Sequence, residues 1–201
     1  MTEPSRWTRL TEENPQHSAA YIQRFKDLEA AGHDLVGEAR LVDAMLPRGS
    51  RVLDAGSGTG RIAAHLAAVG HEVVGVDGDP VLVAAAAAEH AGPTFLVGDL
   101  AELDLPARGN SEPFDVIVCA GNVVTFLAES TRVGVLRRFR AHVTAQGRAV
   151  IGFGAGRGYD FDDFLADARA TGWTPDLLLA SWDLRPFTPE ADFLVALLRR
   201  A

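Results

Sequence analysis

Three clusters of glycine and aspartate could do chemistry here, each placed just after a short apolar run. The first is Asp54-Ala55-Gly56-Ser57-Gly58-Thr59-Gly60, behind Arg51-Val52-Leu53. Glycines at this density let the chain turn tightly and let a ligand touch bare backbone. A helical pattern opens at about Gly60, and the free N–H groups and positive dipole end there favour an anionic or electron-rich group. The second is Asp77, ending His71-Glu72-Val73-Val74-Gly75-Val76, twenty-three residues beyond Asp54. One ionised carboxylate can accept from two neighbouring hydroxyls, as on a ribose, and a doubly wound fold puts an acid at this place. Asp77 also has a plainer reading, as a turn former ahead of Gly78-Asp79-Pro80. The third is Gly98-Asp99-Leu100, whose acid can accept from an exocyclic amine while the leucine packs on a flat ring.

Such residues act together only if the elements behind them line up. Short apolar runs at about 51 to 55, 72 to 77, 94 to 98, 114 to 119 and 147 to 153 read as strands. They alternate with helical patterns near 60 to 69, 80 to 91, 130 to 143 and 161 to 170. That alternation predicts a parallel sheet covered on both faces. Two apolar segments follow, Asp176 to Leu184 and Asp192 to Leu198, with only Arg185 to Glu190 set between them. The gap is too short for a crossover helix, so these two should pair antiparallel. Before the first strand, Tyr21, Phe25 and Leu28, then Leu35, Ala39, Val42 and Leu46, recur at helical spacing and predict two N-terminal helices. The chain up to Gln16 reads as polar. One domain, 1–201, is expected: a helical arm over 1–46 and an α/β core over 47–201.

The three clusters then fall at the carboxyl ends of successive strands and line one crevice. A dinucleotide fingerprint would place its third glycine, or an alanine, where this chain has Arg61, which disfavours a nicotinamide-dependent oxidoreductase. At these residues the sequence resembles the class I S-adenosylmethionine-dependent methyltransferases, of the small bacterial kind (types 11 and 25), over roughly Arg51 to Ala201. Val52 to Gly60 is similar to their first motif, Val74 to Asp77 to their second, Gly98 to Leu100 to their third and Phe114 to Asn122 to their fourth.

The resemblance implies a Rossmann-like, seven-stranded doubly wound α/β sheet of order 3-2-1-4-5-7-6, strand 7 antiparallel. It implies S-adenosylmethionine as donor and S-adenosylhomocysteine as product. Asp54, Gly56, Ser57, Gly58, Gly60 and Arg61 would then lie beside the methionine moiety, Asp77 and Gly78 at the ribose, and Asp99 with Leu100 at the adenine. Cys119 and Ala120 would pack against the cofactor, and an arm folded over it would bring Tyr21 and Arg24, with Arg24 meeting its carboxylate.

The acceptor side is less defined. Methyl transfer is an in-line displacement in which alignment supplies much of the catalysis, so no fixed catalytic set is required. A base helps where the acceptor is a hydroxyl or amine. Of six histidines only His17 has a route into the cleft. Asn122, leaving the fourth strand, can orient an acceptor or simply hold the fifth strand. The loop Gly152 to Asp160 should carry Arg157 and Tyr159 toward the acceptor. His142, ending a helix, reads as a cation against the dipole. Cys119 is the lone cysteine, and nothing resembles an acidic metal cluster, so no metal is expected.

Composition agrees with an ordinary globular domain. The chain has 201 residues, 47% of them hydrophobic, and a net charge of −8 with no basic stripe, which argues against nucleic acid. A chain of this size should leave roughly 9,100 Å² exposed of about 31,000 Å². The lone cysteine and the absence of a secretory pattern or long apolar run predict a cytoplasmic protein away from membranes, monomer or homodimer. The reading is methyl transfer to a small-molecule hydroxyl or amine. Its alternatives are a non-catalytic cofactor-binding protein or partner subunit and, behind that, an NAD(P)-dependent oxidoreductase.

Overall fold

The computed structural model describes residues 2–201. Helices α1 (Arg6–Glu13), α2 (His17–Ala30) and α3 (Gly37–Ala44) precede the sheet. Strands β1 (Arg51–Ala55), β2 (Glu72–Asp77), β3 (Thr94–Val97), β4 (Phe114–Cys119) and β5 (Val143–Gly154) then alternate with α4 (Arg61–Ala68), α5 (Pro80–Glu89), α6 (Val123–Phe126) and α7 (Arg132–His142). After α8 (Phe161–Ala170), β6 (Trp173–Leu179) and β7 (Phe193–Arg200) complete a seven-stranded sheet of order β3-β2-β1-β4-β5-β7-β6. Only β7 runs antiparallel, pairing with β5 on one side and β6 on the other. The exposed area is 9721 Å², close to the expectation from chain mass.

The strands bury both faces because side chains alternate with period two. Leu53, Ile117, Ala149, Ile151 and Phe153 point to the α7–α8 side, where they pack with Phe114, Phe139, Phe164 and Trp173. Val52, Val116, Val118 and Val150 point the other way, against Ala39 and Val42 of α3 and Ile62 and Leu66 of α4. Trp173 buries its ring and still satisfies its N–H, donating to the Leu136 carbonyl at 3.0 Å.

Four local expectations differ from the structure. The segment before Gln16 contains a helix, α1, capped by the Ser5 side chain accepting from Thr8 N. The strand β5 begins at Val143, earlier than its apolar run, because Val143 pairs with Phe114 before the ladder shifts register. The chain leaves the sheet edge at Leu179 and 180–192 is a loop, since Trp182 folds onto Gly152. A Cβ at Gly152 would lie 2.2 Å from that ring, so the bare Cα is what admits it. Last, His142 is a bridge between backbones: Nδ1 faces the Arg138 carbonyl at 2.7 Å, and Nε2 accepts from Leu105 N at 3.1 Å. Both ring nitrogens are engaged by backbone, so the side chain ties the end of α7 to the loop before β4. Among the described residues no helix is long and apolar enough to cross a membrane.

Candidate functional site

The turn after β1 is built on left-handed glycines. Gly56, Gly58 and Gly60 have φ of 81°, 53° and 79°, a region other residues enter at a cost. Two also lack room: a Cβ at Gly56 would sit 2.4 Å from Val123 Cγ2, and one at Gly60 2.6 Å from Phe95 Cζ. The amides of Gly56 and Ser57 donate to the Val76 carbonyl at 2.8 and 3.1 Å, tying this turn to the end of β2. Asp54 lies buried beneath it, accepting from Ala63 N at 3.2 Å, and burial pushes its carboxyl up to about 7 against the opposing pull of Arg61.

Asp77 connects the first two strand ends. Its Oδ2 accepts from Gly58 N at 2.8 Å and its Oδ1 from Asp79 N at 2.9 Å. Burial raises its pKa, and these two backbone donors work against the rise. Each oxygen retains a lone pair for a further donor. At the next strand end, Asp99 uses one oxygen to cap a short turn through Ala101 N at 2.8 Å, with Leu100 buried beside it.

After β4, Asn122 adopts φ 68°, one of two non-glycine residues in that region among those described. Its Oδ1 accepts from Gly154 N at 2.8 Å, which holds the end of β5, and its carbonyl accepts from Thr125. No intramolecular partner meets its Nδ2 among the described residues.

The arm closes the crevice. Trp7 of α1 donates its indole N–H to Asp79 Oδ2 at 2.9 Å and meets His17, Tyr21 and Phe126 edge-on at 4.8, 5.2 and 5.5 Å. Ser18 of α2 donates to the same oxygen at 2.5 Å. Burial acts to raise the Asp79 carboxyl, but donors from Ser18, Trp7, Val81 and Leu82 outweigh it and leave the group below the usual range. On the opposite rim Arg6 Nη1 donates to the carbonyls of Arg157 and Thr125 at 3.1 and 3.5 Å. Between arm and strand ends lies a cavity of about 460 Å³, within the range of small-ligand sites.

Gly56, Gly58, Asp77, Gly78, Asp99 and Leu100 border this cavity, as do Tyr21, Arg24, His17 and Asn122. Tyr21 stands over the turn, its phenol raised chiefly by burial and its ring near Gly58. Other residues expected at the site lie elsewhere. Arg61 turns behind the glycine turn, where it forms a two-pronged pair with Glu38 at 2.6 and 2.9 Å and lies over Phe25. Cys119 and Ala120 are buried in the sheet, and burial drives the Cys119 thiol far up, so it is inert. Ser57 and Gly60 face β2, β3 and α5 instead, with Ser57 Oγ buried and without a hydrogen-bond partner. Tyr159 is a core residue, stacked on Phe153 and donating to Asp167 at 2.7 Å, while Arg157 of the same loop borders the cavity.

Trp7 and Phe126 at the cavity, and Asp79 beneath them, also belong to the site, beyond the residues the sequence pattern singles out. The serine cap at Ser5 and the pair Trp7 and Leu10, three apart, were the available signals for α1, and Asp79 before Pro80 was the signal for a capped helix. Among the described residues no three His, Cys, Asp or Glu are placed to hold a metal.

A sheet of order 3-2-1-4-5-7-6 with a glycine turn after the first strand and acids after the next two defines a Rossmann-like protein with its ligand crevice at the carboxyl ends of the strands. Residues 52–147 match the model of the methyltransferase domain. The chain is 48% identical to a TehB-like SAM-dependent methyltransferase from Corynebacterium glutamicum, over 94% of this chain and all of that one, with a TM-score of 0.88. This chain belongs to the S-adenosylmethionine-dependent methyltransferases. Two more distant structures share the fold. One is the 1,6-didemethyltoxoflavin-N1-methyltransferase of Burkholderia thailandensis, solved with 1,6-didemethyltoxoflavin and S-adenosylhomocysteine (21% identity, all of this chain and 92% of that one, TM-score 0.65). The other is the magnesium protoporphyrin IX methyltransferase of Synechocystis, solved with SAM (20%, 96% and 89%, TM-score 0.61). Among curated proteins no match is found.

Proposed function

We propose that this chain moves the methyl group of S-adenosylmethionine onto a hydroxyl or amine of a small molecule. One observation carries the reading: the Asp77 carboxylate borders the cavity while holding the Gly58 amide, so the hydroxyl-binding acid and the bare-backbone turn face a single ligand. The residues present fit that cofactor. Asp77 has free lone pairs for the ribose hydroxyls, Asp99 has a second carboxylate oxygen for an amine, and Leu100 offers an apolar wall. Arg24 forms no ion pair within 4.0 Å among the described residues and is free to meet a carboxylate.

S-adenosylmethionine supplies a methyl group on a positively charged sulfur, already bonded to a good leaving group. This chain's part is alignment and exclusion of water. Trp7, Tyr21 and Phe126 cover the crevice, and Asn122 presents an unpaired amide donor to orient an acceptor. His17 borders the cavity, and the role we assign it is to take the proton of the acceptor. The volume of about 460 Å³ favours a small acceptor, and no metal step is invoked. A cytosolic monomer or homodimer is the setting we assign.

Calorimetric titration with S-adenosylmethionine, S-adenosylhomocysteine and NADH in parallel tests the reading. Micromolar binding of the first two with none of NADH is expected. The opposite selectivity overturns it, as does a folded protein that binds none of the three.

A further inference from the structure

The arm is held in an unusual way. Across α1 and α2 the only fully buried residue is Ser18, a serine. Apolar burial therefore contributes less to docking these helices than it does for the core helices, which bury leucines, valines and phenylalanines. The outer ties, Thr2 with Glu102, Glu3 with Ser130 and Arg6 with the Arg157 and Thr125 carbonyls, are exposed or half-buried bonds that compete with water. One junction is buried, that of Trp7 and Ser18 on Asp79, which is 5% exposed.

Asp79 faces two ways. Its Oδ2 takes both arm donors, and its Oδ1 caps α5 through Val81 N at 2.8 Å and Leu82 N at 3.4 Å. Its own amide donates to Asp77 Oδ1, and Asp77 in turn takes the Gly58 amide. An uninterrupted chain of hydrogen bonds thus runs from the arm through Asp79 and Asp77 to the glycine turn. Bonds in a buried, fully paired network orient one another, so the state of one end is felt at the other.

We propose that Asp79 is a positioning residue which couples closure of the α1–α2 arm to the setting of Asp77 and the glycine turn, so that the donor site is complete only when the arm is shut. It does not border the cavity itself. Its effect falls on cofactor retention: KM for S-adenosylmethionine changes while kcat, read at saturation, does not. This rests on the proposed use of Asp77, but the arm's docking does not.

Two variants separate these. Asp79→Asn retains an oxygen to cap α5, but its NH2 cannot accept the indole N–H of Trp7. Trp7→Phe keeps an aromatic ring but removes that donor together with part of the ring's contact with His17, Tyr21 and Phe126, leaving the cap and Asp77 untouched. Without any ligand, trypsin should cut the arm at Arg6 or Arg9 about tenfold faster in both variants than in the parent, with the core intact. With S-adenosylhomocysteine, each should bind about tenfold more weakly, and the double variant should be no worse than either single one.

Equal trypsin rates and equal affinities in folded Trp7→Phe overturn the proposal, whatever Asp79→Asn does to folding. Additive losses also overturn it, because they would mean two unlinked contacts. If the parent protein itself binds no S-adenosylhomocysteine, the function reading fails, while the ligand-free trypsin rates still decide whether Asp79 holds the arm.

Discussion

Asp77 Oδ2 accepts the amide of Gly58 at 2.8 Å, so the acid that ends β2 holds the glycine turn that ends β1. The two features are nineteen residues apart in the chain and form one unit in space. A ligand bound to bare backbone at one end of that bond and to a carboxylate at the other is recognised by both strand ends together.

Asp77→Ala should therefore do more than remove a hydroxyl acceptor. It leaves the Gly58 and Asp79 amides without their partner, at about 1–3 kcal/mol for buried donors. Affinity for S-adenosylmethionine should fall at least about tenfold, or roughly 1.4 kcal/mol. Calorimetry on the folded variant checks this, and unchanged affinity removes Asp77 from the site.

Gly56→Ala meets both a strained φ of 81° and the Val123 side chain at 2.4 Å. The backbone cost is about 1–2 kcal/mol and overpacking adds about 1–3 kcal/mol. The second variant Val123→Ala, placed on top, should recover the overpacking part and not the backbone part. Chemical denaturation of the single and double variants measures both.

Substitutions at Asn122 should split two roles. Asn122→Gly accepts φ 68° readily and loses the bond to Gly154 N and the Nδ2 donor, whereas Asn122→Ala loses both and also carries the backbone strain. Alanine should be the less stable by about 1 kcal/mol, by the left-handed penalty. Both should lower turnover, read as kcat at saturating cofactor. A Gly variant with full activity would limit Asn122 to holding β5.

The buried Asp54 predicts an acid-leaning stability term. Its folded pKa is raised from 3.8 to about 7, chiefly by burial. Below 3.8 the group is protonated in both states. Between there and about 7 the unfolded chain loses the proton while the folded one keeps it, so stability falls as pH rises through that window. Asp54→Asn carries no charge at any pH and should lack this fall. The urea midpoint of the variant, relative to the parent, should therefore rise from pH 5 to pH 8, and a constant difference would refute the assignment.

Much of the sheet was legible from local pattern. Runs such as Val116-Ile117-Val118 and Ala149-Val150-Ile151 are apolar on both faces, and a strand covered on both sides is what such runs can form. The ends of β1, β2 and β3 were likewise legible, since glycine and aspartate break strands at those places for reasons confined to a few bonds. The arm was harder. In α1 only Trp7 and Leu10 break a polar sequence, and two apolar residues on one face are too few to establish a helical repeat. Arg61 and Tyr159 were misplaced for a different reason. A residue number puts a side chain near a crevice, but which way it turns depends on a partner elsewhere, here Glu38 and Asp167.

The sequence alone determined the order of the strands and of the helices between them in the core, the parallel sheet with its antiparallel final pair, and the three clusters at the strand ends, because each depends on short-range periodicity and on backbone preferences of single residues. Only the tertiary structure decided that Asp79 joins Trp7 and Ser18, separated from it by 72 and 61 residues, and that the arm lies over the turn. A hydrogen bond between distant residues has no local signature, since its strength comes from burial that the rest of the fold provides.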